Sequence, residues 1–401
     1  MNTTIQNLMR AATRLTQSGQ LHEATQAIQR ALSGALQNNT ATHQAEKPVH
    51  EAKPRVKPKA KSKASSVVLD DCVFEIKTPR SAPGPASATE AFRAQPAAAT
   101  SRLGEFISGT HTKSSRTCRY KLYVPPGAAG RQLPLVVMLH GCTQNPDDFA
   151  AGTGMNEKAL KQGFFVLYPE QAQDVNPQRC WNWFKHNHQK RGSGEPALIA
   201  GMTQAVMKQH GIDPRRVYIA GLSAGGAMSA IVAAAYPEIF AAVGVHSGLP
   251  SGAASSMQEA MSVMQSGVTG QGFPVMGRPV SSEAASKLPL HSVPTIVFHG
   301  DEDRTVHSRN GEQVMAALLD NTLSTVHPKV EQGVSPHGRR YTRSIHHGDQ
   351  GQAIAEHWLV HGAGHAWSGG HTQGSYTDAK GPDASGEMVR FFLEHPHNPP
   401  C

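Results

Sequence analysis

Gly221-Leu222-Ser223-Ala224-Gly225 puts a serine between glycines, directly after the apolar run Val217–Ala220 and before an Ala-rich stretch beginning at Gly226. This is G-x-S-x-G in a strand–turn–helix setting, the context that makes the pentapeptide chemically meaningful. The glycines let the backbone turn sharply, and the turn holds the Ser223 oxygen clear of both flanking elements. The helix that follows aims its N-terminus, with its partial positive charge, at any developing oxyanion. A serine hydroxyl is a weak nucleophile, so acyl transfer at Ser223 requires a general base and a group that orients it.

In hydrolytic sites of this kind the partners follow the serine in the order acid, then histidine. Phe298-His299-Gly300-Asp301-Glu302-Asp303-Arg304-Thr305-Val306 follows an apolar run and resembles the H-G-x-x-D-x-x-V segment that carries the acid in many α/β-hydrolases. Asp303 occupies the acid position, with Asp301 as the alternative. His365 lies in the small-residue loop His361-Gly362-Ala363-Gly364-His365-Ala366-Trp367-Ser368-Gly369-Gly370, where an imidazole can turn toward Ser223. The chain has 22 histidines, so His361, His346, His347 and His371 compete for the same assignment. Leu139-His140-Gly141-Cys142-Thr143-Gln144 ends another apolar run. Cys142 and Ala224 are the candidate backbone N–H donors to a tetrahedral oxyanion. Each such donor contributes about 3–4 kcal/mol to a transition state.

Cys180-Trp181-Asn182-Trp183-Phe184 falls in the loop after Phe164–Tyr168, and neighbouring strands would set it beside Cys142. A Cys142–Cys180 disulfide would then pin the oxyanion loop, and two free thiols are the alternative. Trp181 and Trp183 are candidates to line an acyl or polymer cleft, with core packing the alternative for one of them. The five cysteines (Cys72, Cys118, Cys142, Cys180 and Cys401) include no C-x-x-C pair, so no zinc ribbon or thioredoxin-like site is indicated.

Elements that would position these groups alternate along the chain. Strands are expected at Tyr120–Val124, Leu133–Leu139, Phe164–Tyr168, Val217–Ala220, Ala242–Val245, Thr295–Phe298 and Glu356–Val360. Helices are expected at Asn156–Gln162, Pro196–His210, Gly226–Ala235, Asn310–Asp320 and Ser385–Glu394. Short, wholly apolar strands alternating with helices imply an α/β fold with a mainly parallel sheet covered on both faces. Ligands in such folds bind at the carboxyl ends of the strands, and all the candidate residues above follow strand ends. Residues 251–288, rich in Met, Gly, Ser and Ala, are expected to be a flexible cap beside the cleft.

The N-terminal quarter reads differently. Residues 1–36 carry apolar residues at helical spacing broken at Ser18-Gly19, which predicts a short helical hairpin. Residues 37–101 are basic and then Ala/Pro-rich, which predicts a disordered linker, with the catalytic domain at 102–401. Residues 1–100 hold 13 Lys/Arg and 7 Asp/Glu, so +6 of the net +8 sits in this arm. Lys53 to Lys63 offers a surface to anionic partners. Without interleaved aromatics a solvated spacer is expected and nucleic acid is not. No apolar run approaches the ~20 residues of a membrane helix. Met1–Leu32 lacks the unbroken apolar core of about 7–15 residues that marks a secretory signal, so classical export is not expected from it.

Taken together, Leu139 to Asn145, Cys180 to Phe184, Gly221 to Ser229, Val245-His246-Ser247-Gly248-Leu249-Pro250, His365 to Gly370 and Gly381-Pro382-Asp383-Ala384-Ser385 resemble the poly(3-hydroxybutyrate) depolymerase-type esterases of the α/β-hydrolase superfamily. The resemblance covers about residues 105–394. It implies an acyl-enzyme mechanism with Ser223 as nucleophile, His365 as base, Asp303 as its orienting acid and Cys142 and Ala224 as the oxyanion hole. Trp181, Trp183 and Trp367 would contact substrate. It implies no metal and no organic cofactor. The implied substrate is an ester, in the first place a polyhydroxyalkanoate polymer or oligomer and in the second a feruloyl or acetyl ester. The implied location is extracellular, with the cytoplasm as the alternative. A reading of another class makes the domain a binding or scaffolding module that works through the basic arm. Oligomeric state is not legible.

Overall fold

The computed structural model describes residues 103–113, 116–268, 293–319, 327–348 and 350–397. The chain divides into two units, Met1–Glu90 and Ala91–Cys401, and every described residue belongs to the second. The expected hairpin 1–36 and linker 37–101 lie outside the described residues.

A ten-stranded sheet runs in the order β1-β2-β4-β3-β5-β6-β7-β10-β9-β8. Its parallel centre is β4 (Phe165–Pro169), β3 (Leu135–Leu139), β5 (Val217–Leu222), β6 (Ala242–His246), β7 (Thr295–Gly300) and β10 (Ala353–Val360). Antiparallel pairs close both edges. On one side lie β1 (Glu105–Lys113) and β2 (Arg116–Val124), on the other β9 (Arg340–His347) and β8 (Lys329–Val334). All six central strands were expected from sequence, but of the four outer strands only β2 was. The strands β1, β8 and β9 are half exposed and polar, so they carry none of the apolar runs by which the central strands were recognised.

Every residue of β3, β4, β5, β6 and β7 is buried. Because side chains alternate across a strand, each strand feeds two cores. Leu135, Val137, Leu139, Ile219, Val245 and Val297 face one core, with α3 (Gly194–His210) and α4 (Ala224–Ala235) packed over them. Val136, Met138, Tyr218, Ala220 and Phe298 face the other, under α1 (Pro146–Thr153), α2 (Met155–Gln162) and α7 (Ala384–Glu394). Apolar residues buried on both faces are what a sheet sandwiched between helix layers requires.

Two corrections concern loops. The expected cap is not irregular throughout: Met257–Ser266 forms helix α5, started by Ser256, whose hydroxyl accepts the Glu259 N–H. Residues 269–288 of that segment lie outside the described residues. Helix α1 was also unforeseen. It begins at Asn145, whose side chain accepts the Asp148 N–H, with proline in its first turn. Helix α6 (Arg309–Leu319) follows β7 as expected, and a short pair, β11 (Trp367–Ser368) and β12 (Thr377–Asp378), braces the histidine loop.

Candidate active site

Ser223 sits between β5 and α4 with φ 58° and ψ −120°, a conformation that L-residues avoid. The surroundings hold it there. Its N–H donates to the His246 carbonyl at 2.9 Å. A Cβ on Gly225 would collide with the Leu139 and His140 carbonyls, so only glycine lets this turn approach the end of β3 so closely. The turn therefore sits directly against the His140–Gln144 loop. Ala224 is the first residue of α4. Among the described residues, neither the Ala224 nor the Cys142 N–H donates to a protein acceptor.

The Cys142 loop is fixed from three sides. Gln144 Oε1 accepts the Gly141 N–H at 2.9 Å, while its Nε2 donates to Asp148 and Ser375. Thr143, at φ 65°, donates its N–H to the Gln178 carbonyl at 2.6 Å. Cys142 and Cys180 are joined in a disulfide. Beneath that bond lies a polar network that no motif announced. Glu195, wholly buried, accepts the Asn182 N–H at 2.7 Å, Asn182 Nδ2 at 2.6 Å and Gln171 Nε2 at 2.7 Å. Burial alone would raise its pKa. The contact with His188 and the Asn182 and Gln171 hydrogen bonds reverse that and hold it below the ordinary value. Gln171 also donates its N–H to His140 Nε2 at 3.1 Å, which leaves His140 Nδ1–H to donate to the Gly141 carbonyl. Burial pushes the His140 pKa down to about 4, so that ring is neutral at pH 7.

Two histidine–aspartate pairs flank one another at the ends of β7 and β10. Asp303 Oδ2 accepts from His365 Nδ1 at 2.7 Å, and Asp301 Oδ2 from His361 Nδ1 at 2.8 Å. The second nitrogen distinguishes them. His361 Nε2 is engaged by Thr342 Oγ1 at 2.8 Å, whereas His365 Nε2 has no partner among the described residues and is free to take a proton. Asp303 is also the better anchored acid. Its Oδ1 accepts the Thr305 and Val306 N–H groups at 2.9 and 2.8 Å, and its carboxylate has no exposure. Burial opposes its charge, but hydrogen bonds from His299 and His365 and from the Val306 N–H outweigh it and keep the carboxyl well below the usual aspartate range.

His246, at the end of β6, links the halves of this arrangement. Its carbonyl takes the Ser223 N–H, and its Nε2 accepts the Ser368 N–H at 2.9 Å, three residues beyond His365. Its ring stacks on Trp367 and Phe298 with centroids 4.9 and 5.8 Å away. Burial, then repulsion from His299 and His365, drives its pKa well below the ordinary value, so it stays a neutral acceptor. His246 and His299 lie in segments noted from sequence, yet a lone histidine on an apolar strand has no spacing that reveals such work.

The three tryptophans are a correction. Trp181, Trp183 and Trp367 are 1%, 4% and 1% exposed. Trp181 Nε1 donates to the His140 carbonyl at 3.1 Å and Trp367 Nε1 to Ser385 Oγ at 3.0 Å, while Trp183 packs edge-on against Phe184. Each is held inside the protein, bracing a site loop instead of forming an open wall. Large aromatic area favours that burial, and their N–H groups find partners there.

The sequence model described as esterase PHB depolymerase matches residues 118–325. The chain belongs to this family. It is 32% identical over 245 residues to the poly(3-hydroxyalkanoate) depolymerase C of Paucimonas lemoignei, covering 61% of this chain and 57% of that one. It is 28% identical over 212 residues to the acetylxylan esterase A of Talaromyces purpureogenus, covering 51% and 53%. The chain thus spans about half the length of the curated relatives it matches. Among solved structures, an acetyl xylan esterase from Aspergillus awamori superposes with a TM-score of 0.54 at 19% identity, covering 72% of this chain and 99% of that one. That likeness assigns the fold, an α/β-hydrolase. Among the described residues no helix is long and apolar enough to cross a membrane.

Proposed function

We propose that this family member is a serine esterase that cleaves carboxylic esters through an acyl-enzyme. His365 Nε2 takes the Ser223 proton as the oxygen attacks the ester carbonyl, and Asp303 holds His365 in the Nδ1–H tautomer and stabilises the imidazolium. The Ala224 and Cys142 N–H groups stabilise the oxyanion. The alcohol leaves with the proton from His365, and water then releases the acid by the same route. The observation that carries this reading is the Asp303–His365 hydrogen bond with a free Nε2, on a loop that His246 joins to the strained strand–helix turn of Ser223. The substrate class is poly(3-hydroxyalkanoate) polymer or oligomer, supported by the depolymerase relative. Acetyl esters are the second reading, supported by the acetylxylan esterase relatives. A disulfide clamping the oxyanion loop favours an oxidising compartment over the cytoplasm. Residues 102–401 are the catalytic unit.

The test is purified protein assayed on hydroxybutyrate oligomers, polymer films, p-nitrophenyl acetate and acetylated xylan. Ser223→Ala should lose roughly 10⁴-fold or more in kcat with the circular dichroism spectrum unchanged. Unaltered turnover in that variant would refute the mechanism.

A further inference from the structure

Among the described residues, five that are not glycine have φ in the left-handed region: Thr143, Arg179, Ser223, Ser247 and Tyr376. Four of them adjoin parts of the site already described. Ser223 is the candidate nucleophile, Thr143 follows Cys142, Arg179 precedes Cys180 and Ser247 follows His246. Such a backbone is costly for a residue with a side chain and persists only where the surroundings enforce it. Tyr376, at φ 52°, is the fifth, and the mechanism gives it no part.

Its hydrogen bonds show what holds it. Tyr376 immediately precedes β12, and its carbonyl accepts the Trp367 N–H at 2.7 Å, two residues beyond His365. Its hydroxyl lies 3.1 Å from Thr143 Oγ1. Thr143 has one hydroxyl proton and gives it to the Cys142 carbonyl at 2.6 Å, so Tyr376 donates and Thr143 accepts. The residue before Tyr376 is tied to the same loop. Gln144 Nε2 donates to the Ser375 carbonyl at 3.1 Å, while Asp148 accepts the Ser375 N–H at 2.8 Å and the Ser375 hydroxyl. One side of this dipeptide is therefore bonded to the loop that carries Cys142, and the other to the loop that carries His365. Tyr376 is 45% exposed, so core packing does not account for its strained placement.

We propose that Tyr376 is a positioning residue that holds the oxyanion donor Cys142 in register with the base His365, through its hydroxyl on one side and its carbonyl on the other. The inference rests on the proposed esterase mechanism. Oxyanion capture and proton transfer act on one ester carbonyl at the same moment, so the two loops must keep their spacing closely. The loops follow β3 and β10, which β5, β6 and β7 separate in the sheet. The disulfide ties the Cys142 loop toward β4, on the side away from His365. The Ser375–Tyr376 link supplies the tie in the other direction.

The experiment measures kcat and KM on p-nitrophenyl acetate and on a 3-hydroxybutyrate trimer for Tyr376→Phe, Thr143→Val, the double variant and Thr143→Ser. Tyr376→Phe and Thr143→Val should each lower kcat about three- to tenfold on both esters, with KM within about twofold, the range of one neutral hydrogen bond open to water. Both remove the same bond, so Tyr376→Phe should cost nothing further in the Thr143→Val background. Thr143→Ser keeps the hydroxyl and should stay within about twofold of wild type. Unchanged kcat in Tyr376→Phe, or losses that multiply in the double variant, overturns the positioning role. A raised KM on the trimer alone, with p-nitrophenyl acetate unaffected, also overturns it and makes Tyr376 a substrate contact. In each of those outcomes the esterase stands. A wild-type protein that turns over neither ester defeats the esterase reading and this inference with it.

Discussion

At the residue scale, the site depends on groups that touch no substrate. His246 is the chief case, because this one residue supports both the Ser223 turn, through its carbonyl, and the His365 loop, through its ring. Replacing it with alanine removes the acceptor for the Ser368 N–H and the stacking under Trp367. His246→Ala should lower kcat by about 10–100-fold with little change in KM, since displaced catalytic groups lose transition-state contacts more than ground-state ones. His246→Gln retains an acceptor and should recover part of kcat. His357, a half-buried histidine on β10, is the control, and His357→Ala should cost stability without the same loss of kcat in the folded enzyme. Equal kcat losses at the two positions would make His246 merely structural.

At the element scale, the disulfide joins the loop after β3 to the loop after β4, and with it the Cys142 N–H is tied to the Glu195 network. If the Cys142 N–H is the oxyanion donor proposed above, reduction or Cys180→Ser should lower kcat more than it raises KM, because such a donor is used chiefly in the transition state. Mass mapping gives the direct check, as Cys142 and Cys180 should appear in one linked peptide unless the protein is reduced. Cys118 should stay unmodified by iodoacetamide in the native state. Its burial pushes the thiol up to about 12, so almost no thiolate is present at pH 8.

At the scale of the whole molecule, the edge of the sheet beyond the site is held by charge. Glu356 of β10 is fully buried and accepts from Arg343 at 2.8 Å, Arg390 at 2.7 Å and Trp358 Nε1 at 3.1 Å, tying β9, β10 and α7 together. Burial opposes its ionisation, but the two guanidinium groups prevail and lower its pKa below the ordinary value. The folded state therefore holds this carboxylate ionised where the unfolded chain binds a proton. Its contribution is complete above the unfolded value of about 4.3 and drains away as the pH falls toward the lower folded value. Glu356→Gln should cost about 1–3 kcal/mol in urea unfolding at pH 7, since Arg343 then keeps only Glu331 and Arg390 only Glu387 and Glu394 as ion-pair partners, and should flatten the loss of stability below about pH 4.5. A variant as stable as wild type, with the same acid profile, would remove this account.

The central strands were legible because burial on both faces demands uninterrupted apolar residues, and β3, β5 and β7 show them plainly. Ser223, Asp303 and His365 stand out in the sequence as candidates because a sharp strand–helix turn needs its glycines and because chemistry in such folds gathers just past strand ends. The edge strands β1, β8 and β9 were not, since a half-solvated strand tolerates polar residues that any loop would accept. Sequence spacing left Asp301 with His361 as a rival to Asp303 with His365. Only the tertiary contacts give a reason to prefer the second pair, because Thr342, on the neighbouring strand β9, engages the nitrogen that a general base must keep free. The tryptophans went astray for the same reason. Composition places an aromatic near a site, but whether its face meets substrate or a neighbouring side chain depends on what the rest of the chain packs against it.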